Sequence, residues 1–208
     1  MRFMLPAAVL LLATIAIAGP AAGQQYPARP IRMLIGFPPG GGTDIVGRIV
    51  AQKLSENLGQ PIVAENRGGA TGMVAAEIAA RAAPDGYTIM MAHISAMSIL
   101  PSLYPKLAYD TAKDFAPITQ AGIGPNLLVV HPSLPVRSVK DLIALAKARP
   151  GQLHYASPGS GSVQHLSGEL FKLQAKVDML HVPYKGSGQS IVDLIAGHVQ
   201  LSFDAVPV

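Results

Sequence analysis

Short hydrophobic and polar runs alternate along the chain and change period at glycine and proline residues. In the first half, the apolar run at residues 31–37 predicts a strand. Residues 43–58 predict a helix that ends at Gly59 and has Ile45, Ile49, Leu54 and Leu58 on its inner side. The other elements predicted here are a strand at 61–66, a helix at 73–81 and a strand at 87–92. Strands that alternate with helices in this way indicate an α/β fold.

The second half continues the alternation after a proline-rich stretch, and we expect the chain to cross to a second lobe near residues 122–125. Ser138 is predicted to cap a helix, with Asp141 at the capping-box position and Gly151 past its end. The residues expected on its inner side are Val139, Leu142, Ile143 and Ala146. The remaining predicted elements are strands at 126–130, 179–182 and 200–203 and a helix at 191–196.

Two glycine-rich segments, GFPPGGGTD at residues 36–44 and SPGSGS at residues 157–162, each join a predicted strand to a predicted helix. Neither known nucleotide motif fits the first one. A phosphate loop needs a lysine after its last glycine, and a dinucleotide loop needs a small residue where Ile45 stands. What remains is backbone without side-chain bulk in front of a helix, whose first amide groups lack partners and attract anions. The sequence therefore predicts two anion-binding loops.

Residues 1–23 have the features of a secretory signal: Arg2, an apolar run from Leu5 to Ala18, and small residues before Gln24. The apolar run is shorter than the roughly 20 residues of a membrane span. The chain contains no cysteine, which excludes disulfides, thiolate metal sites and a lipid-modified cysteine. We therefore expect cleavage before Gln24 and a periplasmic product.

The composition argues against nucleic acid as a partner. The chain of 208 residues has 16 Lys and Arg against 12 Asp and Glu, a net charge of +4, and the basic residues are dispersed. It has five Phe, six Tyr and no Trp, so aromatic stacking groups are few. A mild positive field favours small acids as ligands.

Several long segments resemble the extracytoplasmic solute receptors of tripartite tricarboxylate transporters, the Bug family. They include YPARPIRMLIGFPPGGGTDIVGRIV, LYPKLAYDTAKDFAPIT and HVPYKGSGQSIVDLIAGHVQLSFD, and together they extend from Tyr26 to Asp204. The resemblance implies a two-lobed periplasmic binding protein fold of type II, without catalysis, cofactor or metal. It divides the chain into a signal peptide at 1–23, lobe one at 24–122 and lobe two at 123–208. The implied partners of this monomer are a small carboxylate ligand and membrane transporter subunits.

The resemblance also implies which residues bind the carboxylate, mainly through backbone amides, hydroxyls and bridging waters. In lobe one they are Phe37, Gly40, Gly41, Thr43, Asp44 and Ser95. In lobe two they are Ser157, Gly159, Gly161, Ser162, Tyr184 and Asp204. Asp44 is expected to brace the loop, because a carboxylate that faces a carboxylate would repel it. His93 is a further candidate for substrate selection, and the alternative is a histidine whose hydrogen bonds are satisfied in the lobe interior or at its rim.

Two other hypotheses stay open at this point. Family members continue past the equivalent of Val208, so we expect the chain to be C-terminally truncated, and a non-functional remnant is one alternative. A hydrolase is the other, since Ser162 and His165 lie three residues apart on one helical face. The Gly-x-Ser-x-Gly elbow of such enzymes is not present in the sequence, which argues against it.

Overall fold

The computed structural model describes residues 26–205, so the predicted signal segment lies outside the described residues. Two sheets and six α-helices form an α/β architecture, as predicted. The strands are β1 (Ile31–Ile35), β2 (Ile62–Asn66), β3 (Thr88–Met91), β4 (Asn126–Val130), β5 (His154–Ser157), β6 (Leu180–Pro183) and β7 (Leu201–Ala205). The helices are α1 (Gly42–Leu58), α2 (Met73–Ala80), α3 (Leu100–Leu103), α4 (Val139–Ala148), α5 (Val163–Ala175) and α6 (Ser187–Ile195).

The first sheet has the order β2-β1-β3, and all its strands are parallel. The second has the order β4-β7-β5-β6, with β4 antiparallel to β7 and the other pairs parallel. Residues 115–125, which contain no helix or strand, separate the two sheets in the chain. In parallel sheets the carboxyl ends of the strands and the helix N-termini share one edge, where ligands bind.

The central strand β1 is buried almost throughout because helices and neighbouring strands cover it. Met33, Leu34 and Ile35 are at most 2% exposed. Helix α1 lies close to this strand at Gly47, where an added Cβ would be 2.9 Å from Ile35 Cδ1. The second sheet has its own core, centred on the buried Tyr155, Leu142 and Leu201.

The predicted inner face of α1 is wrong. Ile45, Ile49 and Leu58 are 39%, 56% and 39% exposed, respectively, and the residues of this helix that are buried are Asp44, Gly47 and Ala51. The close contact at Gly47 turns that small-residue stripe toward the sheet, which leaves the isoleucines on another face. Leu54 packs partly against the core, as predicted.

The second-half helices match the prediction in part. Ser138 caps α4 by accepting a hydrogen bond from Asp141 N at 3.1 Å, and Leu142 and Ala146 are buried. Val139 is 54% exposed, because it is the first residue of that helix and lies at its rim. Helix α6 begins at Ser187, four residues before the predicted Ile191, so a segment expected to be a turn is its first turn.

Candidate functional site

Three strand-to-helix corners define the candidate site. We call residues 36–44, between β1 and α1, the first corner, and residues 158–165, between β5 and α5, the second corner. Residues 184–190, between β6 and α6, are the third corner. The first and third corners line one cavity of about 450 Å³, and the second corner contributes Pro158 and Gln164 to it.

The first corner is held by Asp44, which is 3% exposed. Its carboxylate accepts hydrogen bonds from Gly40 N at 3.0 Å, Arg48 Nε at 3.0 Å and Asn66 Nδ2 at 2.7 Å. Burial opposes ionisation, but the bonds from Arg48, Asn66 and Gly40 outweigh it and lower the pKa of Asp44. The ionised side chain therefore braces the loop, and its carboxylate oxygens are hydrogen-bonded to the protein.

The next three amides of this corner remain available. Within residues 26–205, the N–H groups of Gly41, Gly42 and Thr43 have no hydrogen-bond acceptor. All three residues line the cavity. They lie at the start of α1, a 17-residue helix, where the N–H groups carry the positive end of the helix dipole. This corner can therefore donate several hydrogen bonds to an anion.

The third corner offers the same chemistry from the other sheet. Ser187, Gly188 and Gln189 line the cavity at the start of α6, and their amides find no acceptor within the described chain. Gly186, with φ of 138°, lies directly against Pro38, whose Cδ would be 2.9 Å from an added Cβ. This close approach brings the two helix N-termini to opposite walls of one cavity.

The second corner looks similar in sequence, but side chains accept hydrogen bonds from the amides of Gly159, Gly161 and His165. Gly159 N donates to Ser157 Oγ at 3.2 Å, and Gly161 N donates to His165 Nδ1 at 3.1 Å. Ser162 Oγ caps α5 by accepting from His165 N at 3.1 Å. The expectation of unpaired amides at Gly159 and Gly161 is therefore wrong, because the side chains of Ser157 and His165 accept their hydrogen bonds.

The same contacts bear on the hydrolase hypothesis. Ser162 is fully buried, and its hydroxyl bonds the backbone of His165, while the His165 ring bonds Gly161. Ser157 Oγ lies 2.7 Å from His181 Nε2, but Ser157 is also 0% exposed. A nucleophile must reach its substrate. Neither serine is arranged as one.

His93 forms part of the cavity wall next to Phe37, with ring centroids 5.0 Å apart. Its Nδ1 accepts a hydrogen bond from Ser95 N at 3.2 Å and lies 3.0 Å from Ser95 Oγ. Burial lowers the pKa of His93, so the neutral ring prevails at pH 7. Because Nδ1 accepts, the proton resides on Nε2, and the ring can donate to a ligand.

The predicted site residues thus divide into three groups. Phe37, Gly41 and Thr43 line the cavity. Those that stabilise the surrounding loops through hydrogen bonds are Gly40, Asp44, Ser95, Ser157, Gly159, Gly161 and Ser162.

The last two predicted residues do not line this cavity, although Asp204 contacts the side chain of the cavity-lining Ser187. Tyr184 lines a neighbouring shallow depression and donates its hydroxyl proton to Asp193 Oδ2 at 2.6 Å. Asp204 lies in β7, where burial raises its pKa.

The predicted site residues include Tyr184 of the third corner, but not the glycines and serines that follow it or Lys185, the one charged side chain of the cavity lining. The signal was present as KGSGQS after a strand, the same strand–glycine–helix order as in the first corner. Its glycines and serines are weak helix formers, which favoured a turn. Gln164 was also missed, because a glutamine within a helix carries no sequence signal of its own.

Two further features concern the described residues as a whole. Within 26–205, no three His, Asp or Glu side chains are grouped so that they could hold a metal ion. The helices of this part of the chain are all too short or too polar to cross a membrane.

The fold, with a cavity between two sheets at the helix N-termini, is that of the periplasmic binding proteins, a class of solute receptors. The sequence profile of the tripartite tricarboxylate transporter family receptors matches residues 46–208. The chain belongs to this family, as the resemblance implied.

Individual relatives agree with that assignment. Protein BugT of Bordetella pertussis is 41% identical over 199 residues, which are 95% of this chain and 61% of BugT. A solved R. palustris protein with adipate is 42% identical, with a TM-score of 0.83 over 88% of this chain and 61% of that one. MatC from Rhodopseudomonas palustris with bound malate is 34% identical, with a TM-score of 0.81 over 86% and 61% of the two chains. This chain therefore spans about 61% of the length of BugT.

Proposed function

We propose that the protein is an exported receptor that captures a small dicarboxylate in the cavity between its two sheets. The observation that carries this proposal is the pair of helix N-termini, at the first and third corners, that face one cavity with unpaired amides. One carboxylate group of the ligand accepts hydrogen bonds from Gly41, Gly42 and Thr43 on one side. Ser187, Gly188 and Gln189 donate from the other side.

The energies are sufficient without a buried salt bridge. A hydrogen bond to a charged group contributes about 1.5 to 3 kcal/mol, so four or five of them give a gross term of about 6 to 15 kcal/mol. Association costs several kcal/mol. The remainder is compatible with micromolar binding, which corresponds to about −8 kcal/mol.

Lys185 favours a ligand with a second negative group. It is exposed at the cavity rim, and the cavity lining contains no aspartate or glutamate. One carboxylate at the helix N-termini leaves the lysine to attract the other end of the acid. The solved relatives that hold adipate and malate, both dicarboxylates, support this assignment.

His93 supplies a neutral donor in this arrangement. Its Nε2–H group is fixed by the Ser95 contact, and its apolar neighbour Phe37 limits the water around it. A neutral imidazole donates to a carboxylate without the desolvation cost of a cation. We therefore include His93, together with Phe37, among the ligand-contacting residues.

Delivery of the ligand to a tripartite tricarboxylate-type membrane transporter completes the proposal, with the periplasm as the compartment. Membership of the receptor family supports the transporter as partner. The periplasmic binding protein fold and the export-type segment at residues 1–23 support the compartment.

Isothermal titration calorimetry of the purified chain with adipate, succinate, malate and citrate tests the function. We expect micromolar binding of at least one dicarboxylate. Lys185→Gln should weaken a dicarboxylate about fivefold or more, since a charge pair near the surface contributes about 1 kcal/mol. Lys147→Gln, on the exposed side of α4, is the matched control and should bind like the wild type. Failure of all four acids to bind would overturn the proposal.

A further inference from the structure

Gln164 is the most unusual polar side chain of the cavity. It is the second residue of α5, lines the cavity and is only 5% exposed. Its Oε1 atom is buried and has no hydrogen-bond partner among the described residues. A buried acceptor without a donor costs about 1 to 3 kcal/mol, so such a group is expected to meet one in the functional state.

A simple carboxylate cannot provide that donor. Ionised carboxylates only accept hydrogen bonds, so an acceptor oxygen in the cavity wall repels them. A hydroxyl group on the ligand would satisfy Gln164 and still leave the carboxylates to the amides and Lys185.

We propose that Gln164 is a specificity-determining residue that makes the cavity selective for hydroxy-dicarboxylates over their deoxy analogues. This inference rests on the proposed function, because it assigns a second recognition element to the same cavity. Sites with a buried polar group discriminate strongly against ligands that leave it unpaired, whereas added apolar contacts discriminate weakly. The cavity volume of about 450 Å³ leaves room for a short-chain acid with one such substituent.

Calorimetry with two matched pairs, malate against succinate and 2-hydroxyadipate against adipate, measures the selectivity. We expect the hydroxy acid to bind about tenfold or more tightly in the pair whose length fits, as one hydrogen bond to a buried group implies. Gln164→Met has similar volume without the amide. It should reduce this preference to about twofold or less, by weakening the hydroxy acid and leaving the deoxy acid nearly unchanged.

Gln174→Met is the matched control, since this glutamine is on the same helix but exposed. It should keep the wild-type preference. Melting temperatures show whether each variant is folded. The wild-type titrations measure the selectivity for hydroxy acids even if Gln164→Met does not fold.

Each outcome is decisive. Equal affinity within both pairs, as when a bound water satisfies Gln164 or the amide presents its NH₂ group to a carboxylate, overturns the selectivity and leaves the proposed function intact. A preference that persists in Gln164→Met overturns the role of this residue. Binding of none of the four acids overturns the proposed function itself, and the selectivity with it.

Discussion

The first and second corners have the same order of strand, glycine-rich loop and helix, but they differ in which backbone amides are hydrogen-bonded. Each follows a buried strand, contains glycines without side-chain bulk and leads into a helix of 13 or more residues. In the first corner, the Asp44 carboxylate accepts a hydrogen bond from Gly40 N, and the next three backbone amides remain unpaired. In the second, Ser157, Ser162 and His165 take the backbone donors at 159, 161 and 165. Nearby side chains therefore decide which glycine amides of such a corner remain available to a ligand.

The third corner resembles the first in having unpaired amides at the start of a helix. The N-terminal cap of α6 is Gly186, which makes no side-chain hydrogen bond. Its contact with Pro38 opposes it to the first corner across the cavity. In the proposed function, ligand binding depends on the first and third corners, and the second corner gives structural support. The following predictions test this division, from the largest expected effect to the smallest.

Asp44→Ala should have the largest effect, because it removes the brace of the first corner. The variant leaves the donors of Gly40, Arg48 and Asn66 without their acceptor, and we expect a loss of about 3 kcal/mol in unfolding free energy. Ligand affinity should also fall at least tenfold, as the adjacent amides lose their fixed geometry.

Urea unfolding and calorimetry with the best-binding acid measure both effects of Asp44→Ala. Asp85→Ala is the control, because that exposed carboxylate pairs with Arg29 and accepts one hydrogen bond from Tyr87 N, and its loss should cost only about 1 kcal/mol. Similar losses in both variants would contradict the brace.

Gly186→Ala should act mainly on the third corner. Its φ of 138° strains any other residue, at a cost of about 1 to 3 kcal/mol, and the new Cβ would collide with Pro38. We expect affinity to fall tenfold or more, because the two helix N-termini can no longer approach.

Gly59→Ala, at φ of 68° with open space around it, carries backbone strain without a collision. It should lower the melting temperature and leave calorimetric affinity within about twofold of the wild type. Wild-type affinity in Gly186→Ala would exclude the third corner from binding.

Ser162→Ala should change stability alone. The loss of the cap on α5 costs about 1 kcal/mol, measured by urea unfolding. Because the Ser162 hydroxyl is buried and accepts the hydrogen bond of the helix cap, calorimetric affinity should stay within about threefold of the wild type. A tenfold loss of affinity without loss of stability would instead assign Ser162 to direct ligand contact and erase the contrast between the corners.

His181, whose ring stacks on His165 of the second corner, should also make stability sensitive to acid, an effect that vanishes near neutral pH. Burial, followed by the nearby His165, lowers the pKa of His181 to about 4. The unfolded chain binds this proton near a pKa of about 6.5, so unfolding becomes more favourable as pH falls from 6.5 toward 4. Melting temperatures of wild type and His181→Gln across this range give the contribution, and parallel curves would contradict it.

The sequence by itself determined the α/β alternation and the family, and it predicted the unpaired amides of the first corner. Those features depend on local periodicity, on glycines without side chains and on the unpaired N–H groups of a helix N-terminus. All three can be recognised in short stretches of sequence. It also indicated Asp44 as a brace, because a residue at a helix start acts on its own loop.

Tertiary structure alone decided which corners face each other and which amides remain free. The closure of the second corner depends on side-chain rotamers, and the third corner's position depends on the contact of Gly186 with Pro38, 148 positions earlier in the chain. The inner face of α1 was mispredicted and Gln164 was missed for the same reason. Periodicity reports which residues are apolar, but burial is set by how closely distant segments approach, and that distance is a property of the folded molecule.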